Sequence, residues 1–347
     1  MLTSIGSSRC GSSTSAEPAP AGLSCPVIGR DGPQFSVCIR ANERREGLRR
    51  AIASALDQDT DDLEVVVSED SGDLEDVAAG FGDPRVRFHR NPGPHGSIAN
   101  LRYVSSLARG EMVVVLDDDD RLLPSFLSVA GAPMERDESI GVVCTGFLRE
   151  ADGAVRPYRL PVPPGRIESP LRMILTGHPP GRSATLIRRV ALEQGEHEFP
   201  LRPDGIGDLT TWLRAGAAGW GFWSVPEPLA VVSVRRGQMS ASEPPARLID
   251  TLERFEFDDP TAETARLDRL ADARRRQALR LARHGRLSDA RRELSDAAEI
   301  APWPSPPRAL ASLAAHTPAL HRLSVRHPRI GAALRRIHAR LDPFPPR

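Results

Sequence analysis

Residues 111–124 read EMVVVLDDDDRLLP, and this stretch decides the fold class that we predict. Its first half, Met112 to Leu116, is an apolar run rich in valine, which is typical of a strand buried on both faces of a parallel sheet. Four carboxylates, Asp117 to Asp120, follow directly. Because ligands of open α/β sheets bind outside the carboxyl ends of the strands, these acids stand where a bound cation would lie. The alternative interpretation is an acidic loop that is simply solvated.

Strand-like and helix-like segments alternate on the amino-terminal side of this stretch. Strands are predicted at 35–39, 63–68 and 86–90, and helices at 46–56, 74–81 and 98–108. This order predicts a mostly parallel, Rossmann-like α/β sheet with right-handed crossovers and flanking helices. The second strand runs into EDSGD, residues 69–73, so a second group of acids is expected at the same edge. Repulsion between the two groups favours a bound cation there.

Two common phosphate-binding motifs are absent from the sequence. No GxGxxG follows the first strand, and GxxxxGK[ST] occurs nowhere. All 46 basic residues are arginine, which excludes a mechanism that needs a catalytic lysine. If a nucleotide binds, its phosphates are therefore expected to be held through a metal on the carboxylates. Oxygen ligands of this kind suit a divalent cation such as Mg²⁺ or Mn²⁺.

Composition divides the chain into three predicted parts. Residues 1–33, rich in Ser, Gly, Pro and Ala, are predicted to be a disordered leader, 34–240 an α/β domain, and 241–347 an all-α C-terminal extension. From residue 261 onward there are 18 Arg against 8 Asp and Glu, whereas residues 34–260 hold 26 Arg against 36 acids. The basic extension either docks against the acidic domain or contacts an anionic membrane surface or a partner protein.

Within the extension, residues 281–303 predict a helix, a turn at Gly285 and a second helix, and further helices are predicted at 307–315 and 328–341. The hydrophobic fraction of 40% and the charged fraction of 27% indicate a soluble globular protein. No apolar stretch approaches the ~20 residues that cross a bilayer, and no secretory signal is recognisable. Four scattered cysteines suit a reducing compartment. We expect a cytoplasmic protein, with attachment to the inner face of the membrane as the alternative.

Three features of the middle of the chain bear on a site. The Pro-rich run 156–166 predicts a surface loop or hairpin over the sheet edge. Asp208 stands where a helix begins, and its ordinary role there would be that of an N-cap. The aromatic residues Trp220, Phe222 and Trp223 are expected to pack in the core. The more specific alternative is that they form a platform on which a sugar stacks.

These motifs, in this order, resemble those of the family 2 glycosyltransferases with the nucleotide-diphospho-sugar-binding GT-A fold. The resemblance covers about residues 35–240. It is carried by FSVCI with the following RANERREGLRRAIASALDQ, LEVVVSEDSGD, HGSIANLRYVSSLARG, ARGEMVVVLDDDDRLLP and IGDLTTWLRAG. The family's usual Pro-Thr-Tyr-Asn turn is here the run from Arg40 to Glu43, and Glu69 stands where a second Asp is usual. Arg235 and Arg236 stand where the family often has a His.

The resemblance implies roles for individual residues. Asp117 and Asp119 match the two metal-binding acids of the Asp-x-Asp motif, and Asp208 matches the catalytic base. The donor nucleotide is expected to contact the residues that match the family's binding positions, namely Ala41, Glu43, Asp70, Asn100, Asp117 and Asp118. Among these, Asp70 matches the acid that binds the base of the nucleotide.

The function that follows is that of a metal-dependent, inverting glycosyltransferase of the hexosyltransferase type. It would move a sugar from a nucleotide-diphosphate sugar to an acceptor hydroxyl, with a saccharide, a lipid-linked molecule or a small molecule as the acceptor. Such a reaction belongs to polysaccharide or glycoconjugate biosynthesis, and no nucleic-acid partner is expected. One alternative is a nucleotidyltransferase on a similar fold. The other is a degenerate nucleotide-sugar-binding protein that acts through its helical tail.

Overall fold

Alternating strands and helices build the first half of the chain, as the hydrophobic pattern predicts. The computed structural model describes residues 32–70, 72–194, 206–234 and 244–301. The first four strands are β1 (Phe35–Ala41), β2 (Leu63–Glu69), β3 (Val86–Arg90) and β4 (Met112–Asp117). The helices between them are α1 (Arg45–Leu56), α2 (Glu75–Ala79) and α3 (Ser97–Ser106).

The elements after the acidic stretch are shorter and less regular. They begin with β5 (Arg121–Leu122), α4 (Phe126–Arg136), β6 (Ile140–Ala151), β7 (Ala154–Tyr158), β8 (Gly165–Ile167) and α5 (Pro170–Leu175). A single 3₁₀ turn (Arg182–Ala184) then leads into β9 (Thr185–Arg188), α6 (Arg189–Glu193), α7 (Gly207–Ala217) and β10 (Gly221–Val234). Three further helices are α8 (Pro245–Leu252), α9 (Pro260–Arg283) and α10 (Leu287–Ile300).

All ten strands join one sheet, whose main order is β3-β2-β1-β4-β9-β6-β10-β5. The four strands from β3 to β4 are parallel, which confirms the predicted architecture there. Strand β9 is antiparallel to both β4 and β6, so the whole sheet is mixed. The predicted Pro-rich loop forms a hairpin in part, because β7 pairs with β6 in the antiparallel sense.

The sheet is covered on both faces, and β4 lies in its middle. Met112, Val114 and Leu116 pack with α1, α2 and α4, whereas Val113 and Val115 pack with α3 and α7. Burial of apolar surface stabilises a fold by about 25 cal/mol per Å², so burial on both faces makes the central strands strongly stabilising. The strand ends are thereby held in a fixed register, which is what positions the acids that follow them.

The C-terminal helices extend the same packing. Leu248 of α8 and Leu270 of α9 belong to the apolar cluster that α3 and α7 also line. Helices α9 and α10 form the predicted hairpin, with Gly285 at a positive φ of 76° in the turn. Arg274 of α9 forms ion pairs with Glu253, Glu293 and Asp296. These ion pairs join the helices of the extension to one another. The described part of the extension docks on the α/β domain through apolar contacts and a hydrogen bond from Arg269 Nη1 to the carbonyl oxygen of Ile174 at 2.6 Å.

Several predicted features fall outside the described residues. These are the leader up to residue 31, Arg235 and Arg236, and the helices at 307–315 and 328–341. Residues 261–301 contain 10 Arg and 7 acids, so most of the basic excess of the extension also lies outside them. Within the described helices, none is both long and apolar enough to cross a membrane.

Candidate active site

The acidic residues meet at the carboxyl edge of the parallel strands. In the register of the sheet, Arg40 of β1 lies beside Asp117 of β4, and Ala41 of β1 lies beside Glu69 of β2. The chain ends that follow these strands therefore converge, as expected for the ligand-binding edge of an α/β sheet. Asp70 follows directly, with its backbone N–H donating to the carbonyl oxygen of Ala41 at 3.3 Å.

Asp117 is held by two guanidinium groups. Its Oδ1 accepts hydrogen bonds from Arg40 Nη2 at 2.6 Å and from Arg182 Nη1 at 3.1 Å. Burial alone would raise the pKa of Asp117, but the positive charges of Arg40 and Arg182 outweigh it and lower the pKa to about 2. The side chain keeps 26% of its surface exposed. Asp117 is therefore an ionised carboxylate that faces the solvent side of the edge.

Asp118 and Asp119 share a third arginine. Asp118 accepts from the backbone N–H of Asn42 at 2.9 Å and from Arg44 Nη1 at 2.6 Å. The same Nη1 lies 3.7 Å from Asp119 Oδ2. Burial raises the pKa of Asp118 in spite of these contacts. Both carboxylates are almost fully buried, so the four aspartates are not a solvated loop.

Asp120 fastens the acidic turn to two other elements. Its carboxylate accepts from the backbone N–H of Ser233 in β10 at 2.8 Å and from the hydroxyl of Ser183 at 2.5 Å. Ser233 also donates its hydroxyl to the carbonyl oxygen of Asp119 at 2.7 Å. Burial and the nearby charge of Asp117 raise the pKa of Asp120 to about 8. These contacts give Asp120 a supporting role.

Asp70 is fixed by the loop after β3. Asn91 Nδ2 donates to its Oδ1 at 2.9 Å, and the backbone N–H of Gly96 donates to its Oδ2 at 2.6 Å. His95 Nδ1 lies 3.3 Å from Oδ1. Asn91 is itself buried, and sequence reasoning missed it because the loop was recognised only by its Pro and Gly content. The donor contact predicted for Asp70 stays a prediction.

The other residues of the predicted donor site lie along the same edge. Asn100 of α3 is buried, and its amide donates to the carbonyl oxygens of Ser68 at 3.1 Å and Ala41 at 3.4 Å. Asn100 therefore ties α3 to the ends of β1 and β2. Glu43 is exposed in the turn after β1 and has a positive φ of 42°, which few residues other than Gly adopt. The structure brings all six predicted donor positions to this edge.

Asp208 lies in the first turn of α7, and Arg182 lies between it and Asp117. The helix begins at Gly207 after the N-cap position Ile206, so Asp208 does not cap it. The carboxylate is 34% exposed, and its Oδ1 accepts from Arg182 Nε at 2.7 Å and also from Arg182 Nη2. Arg182 therefore joins Asp208 to Asp117. No signal in the sequence distinguished this arginine from the many others.

The aromatic residues near β10 pack mainly in the core. Phe222 is fully buried, and the backbone of Gly141 lies against the Trp220 ring. Trp223 packs at the margin of the cluster around α1 and α4. This packing favours the core interpretation over the sugar-stacking platform.

A cation at this edge would depend on the substrate for part of its ligands. Among the described residues, no group of three or more His, Cys, Asp or Glu side chains is arranged to hold a metal. Asp117 and Asp119 nevertheless lie in one turn, and both charges help to raise the pKa of the neighbouring Arg44. Mg²⁺ commonly takes one or two carboxylates together with phosphate oxygens and water. The residues present therefore fit a divalent cation that binds together with a diphosphate.

Comparison with known sequences finds similarity to one enzyme family over less than half of the chain. Residues 36–195 match the family model described as "Glycosyl transferase family 2". A Campylobacter jejuni protein named GalNAc(5)-diNAcBac-PP-undecaprenol beta-1,3-glucosyltransferase is 38% identical over 104 residues, which cover 28% of this chain and 33% of that protein. The succinoglycan biosynthesis protein ExoO of Rhizobium meliloti is 31% identical over 226 residues, 60% of this chain and 63% of ExoO. The matches thus span only a third to under two thirds of these two relatives.

Solved structures share the fold at low sequence identity. The crystal structure of Staphylococcus aureus TarS residues 1–349 with UDP-GlcNAc has a TM-score of 0.57 and 16% identity, and the match covers 87% of this chain and 90% of that one. The mannosyltransferase PcManGT of Pyrobaculum calidifontis, solved with GDP-Man and Mn²⁺, has a TM-score of 0.50 and 17% identity over 92% and 91% of the two chains. These likenesses confirm the predicted GT-A-like architecture.

Proposed function

We propose that this chain is a family 2 glycosyltransferase, which its match to the family model and its relatives support. It would transfer a sugar from a nucleoside-diphosphate sugar to an acceptor hydroxyl by a metal-assisted, inverting displacement. The single observation that carries the proposal is the position of Asp208 opposite Asp117. One guanidinium, that of Arg182, contacts both carboxylates. Asp117, proposed to bind the metal and diphosphate, and Asp208, proposed to receive the proton, therefore lie within reach of the same guanidinium.

Asp208 is the general base of the proposed reaction. Its carboxylate takes the proton of the acceptor hydroxyl while that oxygen forms a bond to the anomeric carbon. The bond from this carbon to the diphosphate oxygen breaks at the same time, and the electron pair leaves with the diphosphate. A single displacement of this kind inverts the configuration. General-base assistance typically contributes ~10²–10⁴-fold to the rate.

Positive charge on the donor side stabilises the departing diphosphate. Asp117 and Asp119 would hold Mg²⁺ or Mn²⁺, which when bound supplies Lewis-acid stabilisation of the negative charge. Arg40 and Arg44 lie beside these acids, and guanidinium groups form charge-assisted hydrogen bonds to phosphate oxygens. Asp70 and its partner Asn91 are proposed to hold the nucleoside end of the donor.

The relatives suggest the class of substrate. TarS was solved with UDP-GlcNAc and PcManGT with GDP-Man, which supports a nucleoside-diphosphate sugar donor. The names of the two relatives refer to an undecaprenol-PP-linked saccharide and to succinoglycan. We therefore infer that this enzyme acts in polysaccharide or glycoconjugate biosynthesis on a lipid-linked or saccharide acceptor at the cytoplasmic face of a membrane. Residues 34–240 would form the catalytic domain and 241–347 the helical extension.

A donor panel tests the proposal. Thermal melting with UDP, GDP, CDP and dTDP should show stabilisation by one nucleotide in the presence of Mn²⁺ and less with EDTA. The sugar forms of that nucleotide are then incubated with a polyprenyl-diphosphate-linked saccharide, and glycosylated product is detected by mass spectrometry. Formation of a nucleotide sugar from a sugar phosphate and an NTP would instead establish the nucleotidyltransferase alternative. Absence of nucleotide binding and of transfer with every donor would refute the proposal.

A further inference from the structure

Arg182 contacts both Asp117, the proposed metal ligand, and Asp208, the proposed general base. Its Nη1 lies 3.1 Å from Asp117 Oδ1, on the donor side, and its Nε lies 2.7 Å from Asp208 Oδ1, on the acceptor side. The side chain is only 15% exposed and projects from the 3₁₀ turn before β9. The neighbouring Ser183 anchors this turn through Asp120. The guanidinium is therefore held between the two carboxylates from a fixed point of the backbone.

The positive charge of Arg182 does not vary in this position. Burial would lower its pKa, but the carboxylates of Asp208 and Asp117 outweigh burial and raise it above the ordinary arginine value. The contact can therefore end only if the guanidinium moves. Because Oδ1 of Asp208 already accepts two N–H groups from it, an acceptor hydroxyl must compete with Arg182 for that oxygen.

We propose that Arg182 is a positioning residue that couples the binding of a divalent cation at Asp117 to the release of Asp208. A cation beside Asp117 repels the guanidinium, which moves toward the incoming diphosphate, and Asp208 becomes available to the acceptor. Asp208 thus stays engaged until the donor and its cation are bound. This inference rests on the proposed function, since it presumes the cation at Asp117 and the base role of Asp208. Coupling is reciprocal, so Arg182 must also weaken cation binding.

Carboxyl labelling of the unaltered protein tests the release directly. Carbodiimide with glycine ethyl ester modifies accessible carboxylates, and peptide mass spectrometry reports the extent at each residue. With millimolar Mn²⁺ and the nucleoside diphosphate that stabilises the protein in the donor panel, labelling of Asp208 should rise at least about fivefold over the metal-free protein, the lower end of the usual range for coupled sites. Asp137, which is exposed and pairs with Arg166 beyond the opposite edge of the sheet, should not change. Unchanged labelling of Asp208 while Mn²⁺ is bound would overturn the inference.

Mn²⁺ affinity in the presence of the same nucleoside diphosphate, measured by electron paramagnetic resonance, tests the reciprocal effect. Arg182→Gln should bind Mn²⁺ about 5- to 100-fold more tightly than wild type and should label strongly at Asp208 even without metal. Arg182→Lys keeps the positive charge but replaces the planar guanidinium with a single ammonium group. This variant should bind Mn²⁺ close to the wild-type affinity. The matched control is Arg40→Gln, because Arg40 contacts Asp117 and Ser97 on the donor side. It should change Mn²⁺ affinity and leave the labelling of Asp208 as in wild type.

The outcomes separate this inference from the proposed function. Equal or weaker Mn²⁺ binding by Arg182→Gln, or no Mn²⁺ binding by any of the proteins, overturns the coupling. If Mn²⁺ raises the labelling of Asp208 but no donor is ever turned over, the coupling stands and the proposed transfer fails. Thermal melting shows whether Arg182→Gln is folded, and if it is not, the wild-type labelling and Arg182→Lys decide the question.

Discussion

The carboxylate of Asp118 accepts a hydrogen bond from the backbone N–H of Asn42 at 2.9 Å, across 76 positions of the sequence. This contact joins the acidic turn after β4 to the turn after β1. Arg44 adds a second hydrogen bond to the same carboxylate. Asp118 therefore links the two turns at the sheet edge where the donor is expected to bind. Its removal should lower the stability of the protein, and this effect can be measured separately from activity.

We expect Asp118→Ala to lower the free energy of unfolding by about 1–3 kcal/mol. The substitution removes the hydrogen bonds that the Asn42 N–H and Arg44 donate to an almost fully buried carboxylate, and a hydrogen bond to a charged group contributes about this much. Urea unfolding monitored by circular dichroism measures the loss. The exposed Asp76→Ala is the control, since its ion pair with Arg45 lies on the surface and should leave the midpoint almost unchanged. Equal effects of the two substitutions would contradict the supporting role of Asp118.

The fold was predictable where local patterns decide it. Buried apolar runs alternating with amphipathic segments predicted β1 to β4 and α1 to α3, and the predicted acids meet at one edge of the sheet. The limits of α4 were not predictable in the same way. The residues from Gly131 to Pro133 suggest a break, yet α4 continues to Arg136 because Met134 is fully buried against the sheet. Tertiary packing overrides helix propensity there.

The contacts that complete the site could not be read from the sequence. Arg182 reaches Asp208 across 26 positions and Asp117 across 65, and Asn91 reaches Asp70 across 21. Such contacts depend on strand order and register, and the insertion of the antiparallel β9 beside β4 leaves no local signal. With 46 arginines in the chain, residue type alone did not single out Arg182.

Asn91→Ala should weaken donor binding more than it slows transfer. Its Nδ2 donates to Asp70 Oδ1 and to the carbonyl oxygen of Pro94, so its loss removes one of the contacts that hold the Asp70 side chain and one that holds the loop. A hydrogen bond to a carboxylate contributes about 1.5–3 kcal/mol, which predicts a rise in the donor KM of about 10- to 150-fold with little change in kcat. Initial rates over a range of donor concentrations measure both. Pro92→Ala, an exposed neighbour, should behave as wild type, and a fall in kcat with an unchanged KM would contradict the prediction for Asn91.

Glu64 should make stability depend on pH on the acid side. Burial alone would raise its pKa, but hydrogen bonds from the Arg109 backbone, Ser36, Arg87 and the Arg109 side chain lower it below the usual value. A lowered folded-state pKa stabilises the protein above the unfolded pKa of about 4.3, and the contribution is lost as the pH falls through the folded value.

The test compares wild type with Glu64→Gln by urea unfolding between pH 3 and pH 7. Removal of one partner from a buried charge network predicts a deficit of about 3–5 kcal/mol at pH 7. The deficit should shrink below about pH 4, where wild type loses the same interaction by protonation. Glu46→Gln, an exposed control, should show no such dependence. A deficit that is constant across the whole range would show that the charge of Glu64 is not its cause.

Asp119→Asn and Asp208→Asn should separate donor binding from chemistry. Asp119→Asn keeps the size of the side chain but removes a charged ligand, so the Mn²⁺-dependent part of nucleoside-diphosphate binding should be lost in calorimetric titrations. Asp208→Asn should bind the donor nucleotide with Mn²⁺ at least as tightly as wild type and lose about 10²–10⁴-fold in the rate of transfer, because the acceptor hydroxyl has no base. Asp137→Asn, beyond the opposite edge of the sheet, serves as the control for both measurements.

Loss of transfer in Asp208→Asn through loss of donor binding would place Asp208 on the donor side. An Asp119→Asn protein that still binds the donor more tightly with Mn²⁺ than with EDTA would remove Asp119 from the metal site.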